Sequence, residues 1–127
     1  MATGLTFDAG ALIAAEKGSR TFWALWKESI ARRANLTVPA PVVAQVWRGN
    51  RPVIAKLLQQ CRIDVLDEQE AKRVGVLLAA VPRSRDVVDA SVVVGASRRG
   101  DTILTSDSDD IERLVAAQAV ALRIVPV

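Results

Sequence analysis

Short apolar blocks alternate along the chain with segments whose apolar residues recur every three or four positions, and each change of period marks a change of element. Leu5 to Phe7 predicts a short buried strand, and a helix over Ala11 to Lys17 follows, stopped by Gly18. Phe22, Trp23, Trp26 and Ile30 set a helical stripe from about Thr21 to Arg33, read as a core-packing face with a partner surface as the alternative. Leu36 to Val38 is the second strand, ended by Pro39 and Pro41, which also start the next helix. That helix carries Val42, Val43, Val46 and Trp47 on one face and ends near Gly49, with Gln45 off the apolar arc and free to face a cleft. A helix over Pro52 to Gln60 leads to a third strand, Arg62 to Leu66. Helices over Glu68 to Ala80 and Asp86 to Arg99 are separated by Pro82, and Gly100 stops the second. Ile103 to Thr105 and Ala121 to Val125 are the last strands, joined by a helix from about Ser108 to Gln118.

Strands joined by helical crossovers must run parallel and be covered on both faces, which predicts a three-layer α/β/α sandwich with a parallel sheet of about five strands. In such sheets ligands bind beyond the carboxyl ends of the strands, near the point where strand order reverses. Asp8 and Asp107 both fall at that edge, immediately after predicted strands.

Asp8, Asp89 and Asp107 each adjoin an apolar segment, where a lone carboxylate is expensive unless a cation or several hydrogen bonds compensate it. The chain contains no histidine, which excludes histidine acid/base chemistry, Ser-His triads and histidine-ligated zinc. Oxygen-ligated hard cations, Mg²⁺ or Mn²⁺, are then the natural partners. Helix capping is the competing explanation: Asp86 with Asp89, and Asp107 with Asp110, have the spacing of a cap followed by an acid in the first turn. For Asp8 the two explanations weigh equally, whereas convergence of three such residues on one sheet edge favours a site.

Length, 127 residues, suits one domain spanning 1–127. No stretch reaches the roughly 20 apolar residues of a membrane span and the start lacks a leader pattern, so a cytoplasmic protein with no membrane partner is expected. The single cysteine, Cys61, has no disulfide partner and no activating base, and reads as a small core or strand-start residue. The net charge of +3 is ordinary, but the cations cluster as Arg32-Arg33, Arg48 with Arg51, Arg83 with Arg85 and Arg98-Arg99. An acidic cleft on a basic body fits a polyanionic substrate.

Four segments together resemble the PIN domain, and most of all the VapC-type toxins of toxin-antitoxin modules: Phe7-Asp8-Ala9-Gly10-Ala11-Leu12-Ile13, Pro39 to Gly49, Asp86-Val87-Val88-Asp89-Ala90 and Leu104 to Ile111. The resemblance covers nearly the whole chain in the family's order. The richness in Arg, Ala and Val, with four lysines, also fits the coding bias of a high-GC actinobacterium such as a mycobacterium. The resemblance implies a Mg²⁺- or Mn²⁺-dependent endoribonuclease that cuts structured RNA, tRNA or rRNA, is neutralised by a cognate antitoxin, and forms a homodimer. It makes Asp8, Asp89 and Asp107 the metal-binding acids, with Asp110 and Asp86 as accessory positions. Thr105 or Ser106 is placed to hydrogen-bond behind them. Arg48, Arg51, Arg98 and Arg99 are candidate RNA phosphate contacts, each with an alternative life as a solvated helix-end cation. One position departs from the pattern: Gln45 stands where the family carries glutamate, keeping the shape but removing a negative charge from a site built on charge. Two other readings stay open: a DNA-cleaving or repair-type PIN-like nuclease with the same metal site and, favoured by Gln45, a catalytically inactive PIN-like module that binds antitoxin or RNA without cleavage.

Overall fold

A computed structural model describes residues 3–127. Its elements are β1 (Leu5–Phe7), α1 (Ala9–Glu16), α2 (Arg20–Ala31), β2 (Leu36–Pro39), α3 (Ala40–Val46), α4 (Pro52–Gln59), β3 (Arg62–Asp64), α5 (Glu68–Ala80), α6 (Val87–Arg99), β4 (Thr102–Thr105), α7 (Ser108–Ala116) and β5 (Ile124–Pro126). The five strands form one sheet in the order β3-β2-β1-β4-β5, and every neighbouring pair is parallel. The expected α/β architecture is therefore the observed one.

β1 sits at the centre, and its alternation assigns the faces. Phe7 points to one side, where its ring lies 5.5 Å from Phe22 and 5.8 Å from Trp26 of α2. Thr6 points to the other, where its hydroxyl meets Asp101 and Arg99 at the end of α6. α6 lies across β1, β2 and β4 with α5 and α7 beside it. Ala90 to Ala96 are all buried, so α6 is enclosed nearly all round as its unbroken apolar composition predicts. In the tryptophan stripe only Phe22 and Trp26 reach the core; Trp23 and Ile30 are exposed at 37% and 44%.

Several boundaries differ from expectation for local reasons. Asp8 caps α1 directly after β1, so the helix starts at Ala9 rather than Ala11. β3 stops at Asp64 because its pairing partner β2 ends at Pro39, opposite Asp64, leaving Val65 and Leu66 without a neighbour. β5 begins at Ile124, opposite Ile103, and not at Ala121. α3 ends at Val46, before Gly49, where the chain turns with positive φ. Among the described residues no helix is long and apolar enough to cross a membrane.

Candidate metal centre

Strand order reverses between β1 and β4, and the carboxyl ends of these two strands carry Asp8 and Asp107. Phe7 is in register with Leu104, and the Asp8 amide donates to the Leu104 carbonyl at 3.2 Å, which brings Asp8 level with Thr105. Asp8 is 6% exposed. Its carboxylate accepts from the Ala11 amide at 2.7 Å, capping α1. Burial raises its pKa, the Thr105 hydroxyl and the Ala11 amide oppose that rise, and the nearby Asp107 carboxylate adds to it. Thr105 has one proton to give and faces two acceptors, the Asp8 carboxylate and the Asp107 carbonyl at 2.9 Å. It also accepts from the Asp107 amide at 3.1 Å, so it locks the turn that leaves β4.

Asp89 is half-buried in the first turn of α6, below the Asp86 cap. Burial, then the charges of Asp86, Asp8 and Asp110, push its carboxyl up to about 7. Asp107 caps α7 and is exposed, because the chain turns out of the sheet edge after Thr105; burial expected from its apolar neighbours does not extend to it. Asp86 is the cap of α6, accepting from the Val88 and Asp89 amides at 2.9 and 3.1 Å, as the capping explanation predicts. Asp110 lies in the first turn of α7 and pairs with Arg113 at 3.0 Å.

The fold thus brings Asp8, Asp89 and Asp107 to one edge, each at the start of a helix, and among the described residues none of the three has an ion-pair partner. Mutual repulsion without a compensating cation is the environment that a divalent ion relieves, and carboxylate oxygens are the donors a hard metal prefers. As they stand, no three acidic or cysteine side chains among the described residues are close enough to surround an ion. Gln45 is exposed on α3.

Sequence reasoning missed the close packing beneath the site. A Cβ on Gly10 would collide with the Ser106 hydroxyl and lie 3.1 Å from its Cβ, so α1 approaches the β4–α7 turn at a distance only glycine permits. The motif itself, Asp-Ala-Gly after a strand, is the only signal for this.

The four arginines expected to meet RNA are engaged within the protein. Arg48 folds back onto the carbonyls of Trp47 and Ala44, and Arg51 ties the α3–α4 link to Glu16 of α1 at 2.7 Å. Arg98 pairs with Asp64 and Glu70, and Arg99 with Asp64, Asp101 and Thr6. Both lie at the far end of α6 from Asp89, about 15 Å along the axis at 1.5 Å per residue. For Arg98 and Arg99, cations in a last turn suit the helix dipole, and here they also neutralise three buried or half-buried acids. Cys61 is half-buried just before β3, and burial pushes its thiol up to about 12, consistent with an inert packing residue. A cavity of about 670 Å³ between α5, α6 and the end of α7 is separate from the carboxylates.

Neither the family models nor the curated proteins contain a match to this chain. Among solved structures its fold is similar to VapBC2 from Rickettsia felis bound to a promoter DNA fragment, with TM-score 0.72 and 13% identity over 96% of this chain and 97% of that one. DNA-bound VapBC from Salmonella typhimurium gives 0.71 and 14%, covering 98% of both chains. FitAcB from Neisseria gonorrhoeae gives 0.64 and 14%, covering 94% and 95%. At these identities the likeness defines the fold, a five-stranded parallel α/β domain shared with components of such complexes. It lends no support to an actinobacterial source.

Proposed function

We propose that this chain is the toxin of a toxin-antitoxin module, built as a Mg²⁺- or Mn²⁺-dependent endoribonuclease whose activity is weakened by Gln45. The observation that carries this reading is the convergence of Asp8, Asp89 and Asp107 at the switch point, none with an ion-pair partner among the described residues, where the Asp107 charge raises the pKa of Asp8 and the Asp8 charge that of Asp89. The fold shared with VapBC complexes supports the assignment, and by the same analogy the partner is a cognate antitoxin and the working form a cytoplasmic homodimer.

Asp8, Asp89 and Asp107 would hold the metal, with Asp110 as an accessory acid. The chemistry such a metal would supply is polarisation of a phosphodiester and a lowered pKa for a water. The chain's own contribution is orientation: the Ala11 amide and the Thr105 hydroxyl fix the Asp8 carboxylate, and Thr105 fixes the turn that presents Asp107. Arg85 is exposed, has no ion pair among the described residues and lies one residue from the Asp86 cap, which makes it better placed for a phosphate than Arg98 or Arg99. The substrate is a structured tRNA or rRNA loop, since splayed single-stranded bases and the 2′-hydroxyl are what RNA-cutting sites can read.

The antitoxin segment is assigned to the apolar groove lined by Trp23, Trp26, Val53 and Leu57, about 240 Å³, between α2 and α4. A second reading, a non-catalytic module that binds antitoxin or RNA, is favoured by Gln45. One experiment separates them. Gln45→Glu returns a charge-bearing oxygen ligand, so it is expected to give Mn²⁺-dependent RNA cleavage above the parent and growth inhibition relieved by antitoxin. A folded glutamate variant with no gain in cleavage supports the binding module instead.

A further inference from the structure

We propose that a single RNA strand leaves the carboxylate edge across α3 and runs down α4, with one base stacked on Trp47 and its phosphates held by Arg48 and Lys56. This rests on the RNA-substrate reading above and adds the strand's path and the residues that hold it.

All 14 acidic residues of the chain lie outside the segment from Ser29 to Ile63, which carries six cations. That segment contains the whole of β2, α3 and α4. Two of its cations are engaged, Arg32 with Glu28 at 2.6 Å and Arg51 with Glu16 at 2.7 Å. Arg33, Arg48, Lys56 and Arg62 are exposed and have no ion pair among the described residues. α3 follows the carboxyl end of β2 and packs against α1, which Asp8 caps, and α6, whose first turn holds Asp89. The other ways out of the edge are less favourable to a polyanion. Asp107 caps α7, and Asp109, Asp110 and Glu112 follow it against the single cation Arg113; the α5–α6 turn is mixed, with Arg83 and Arg85 beside Asp86. The field therefore draws a phosphate chain toward α3 and α4 and away from α7.

Val46 is fully buried, but the chain leaves α3 at Trp47 in an extended conformation, so the ring stands 41% exposed. It borders a hollow of about 370 Å³ whose other walls are Val43 of α3 and Ala55, Leu58 and Gln59 of α4. The Arg48 guanidinium folds over the end of α3, where Nη1 donates to the Trp47 carbonyl at 2.8 Å and to the Ala44 carbonyl at 3.3 Å. A cation is thus held beside the ring, and its Nε and Nη2 donors have no partner among the described residues. Lys56 follows on α4, at the rim of the groove beside Trp23. An aromatic face on an apolar shelf, bordered by cations and free of acids, suits a single strand, whose bases stack while its phosphates pair.

The test is fluorescence anisotropy of a labelled single-stranded RNA of mixed sequence and about 12 nucleotides, titrated with the full chain and its variants in metal-free buffer. The parent is expected to bind with a Kd below about 100 μM, the weak end of sequence-independent affinities. Trp47→Ala should weaken binding roughly tenfold, the scale of one stacked base, and leave its salt dependence unchanged. Trp47→Phe should recover most of the loss. Arg48→Gln and Lys56→Gln should each weaken binding and reduce the slope of log K against log salt by about 0.7, the share of one phosphate on a single strand. Arg123→Gln, an exposed cation beside β5 at the opposite edge of the sheet from β3, should change neither. A parent that does not bind overturns the proposal, as does an unchanged salt slope in Arg48→Gln. So does a Trp47→Ala variant, folded by circular dichroism, that binds RNA as the parent does; if it loses antitoxin affinity instead, the surface belongs to the protein partner. Cleavage by Gln45→Glu with RNA binding indifferent to Trp47 and Arg48 sinks the path alone, whereas Trp47-dependent binding without cleavage sinks the nuclease reading alone.

Discussion

Asp89→Asn tests the electrostatics of the carboxylate cluster directly. Asp89 rises from its ordinary 3.8 to about 7 through burial and the charges of Asp86, Asp8 and Asp110. The folded carboxyl then holds a proton more tightly than the unfolded one, so between about pH 3.8 and 7 the folded state binds more protons. Stability from this group is complete below the unfolded pKa and lost as pH rises through 7. Nominally the rise corresponds to about 4 kcal/mol; because the side chain is only half-buried, solvent screening reduces this to roughly 1–2 kcal/mol. In a metal-free buffer at pH 8 the asparagine variant is expected to be more stable than the parent by about that amount, some 4–8 °C in Tm for a chain of this length. At pH 5, where more of the folded parent carboxyl is protonated than at pH 8, the gain should be smaller. With Mn²⁺ at 100 times its Kd the order reverses, since the parent gains about 2.7 kcal/mol and the variant less. Urea melts at both pH values, with and without Mn²⁺, measure all of this. A variant no more stable at pH 8, or equally stabilised at both pH values, would refute the account of why Asp89 is raised.

Gly10→Ala should cost about 1–3 kcal/mol in urea denaturation, because its methyl group must displace Ser106 in a packed turn; a neutral result would show that the turn yields freely. Arg99→Met leaves Asp101 and Asp64 without their main cation at a site where the arginine side chain is 15% exposed, so a loss of about 3–5 kcal/mol is expected by the same denaturation assay. For the antitoxin groove, Trp23→Ala combined with Val53→Glu should weaken antitoxin capture in calorimetry by at least about 2 kcal/mol, the scale of an interface hot spot. An antitoxin complex that touches neither α2 nor α4 would defeat that assignment.

Periodicity alone was enough for the order of elements, the parallel sheet and the edge at which Asp8 and Asp107 emerge, because strand-to-helix alternation leaves few topologies open. Local chemistry also foretold the caps: Asp86 and Asp107 sit where a side-chain oxygen meets a helix's free amides. What sequence could not decide is distance. β3 stops at Asp64 because Pro39 ends its neighbour, a fact of pairing between residues far apart in the chain. Arg98 and Arg99 look like free cations in a list of residues, yet Asp64, Glu70 and Asp101 arrive from three other segments to bind them. Asp89 and Asp107 read alike as acids beside apolar runs, but one is half-buried among like charges and the other opens to solvent. Burial and electrostatic neighbours are properties of the assembled layers, and they decide which carboxylate carries a raised pKa and which arginines remain available to a substrate.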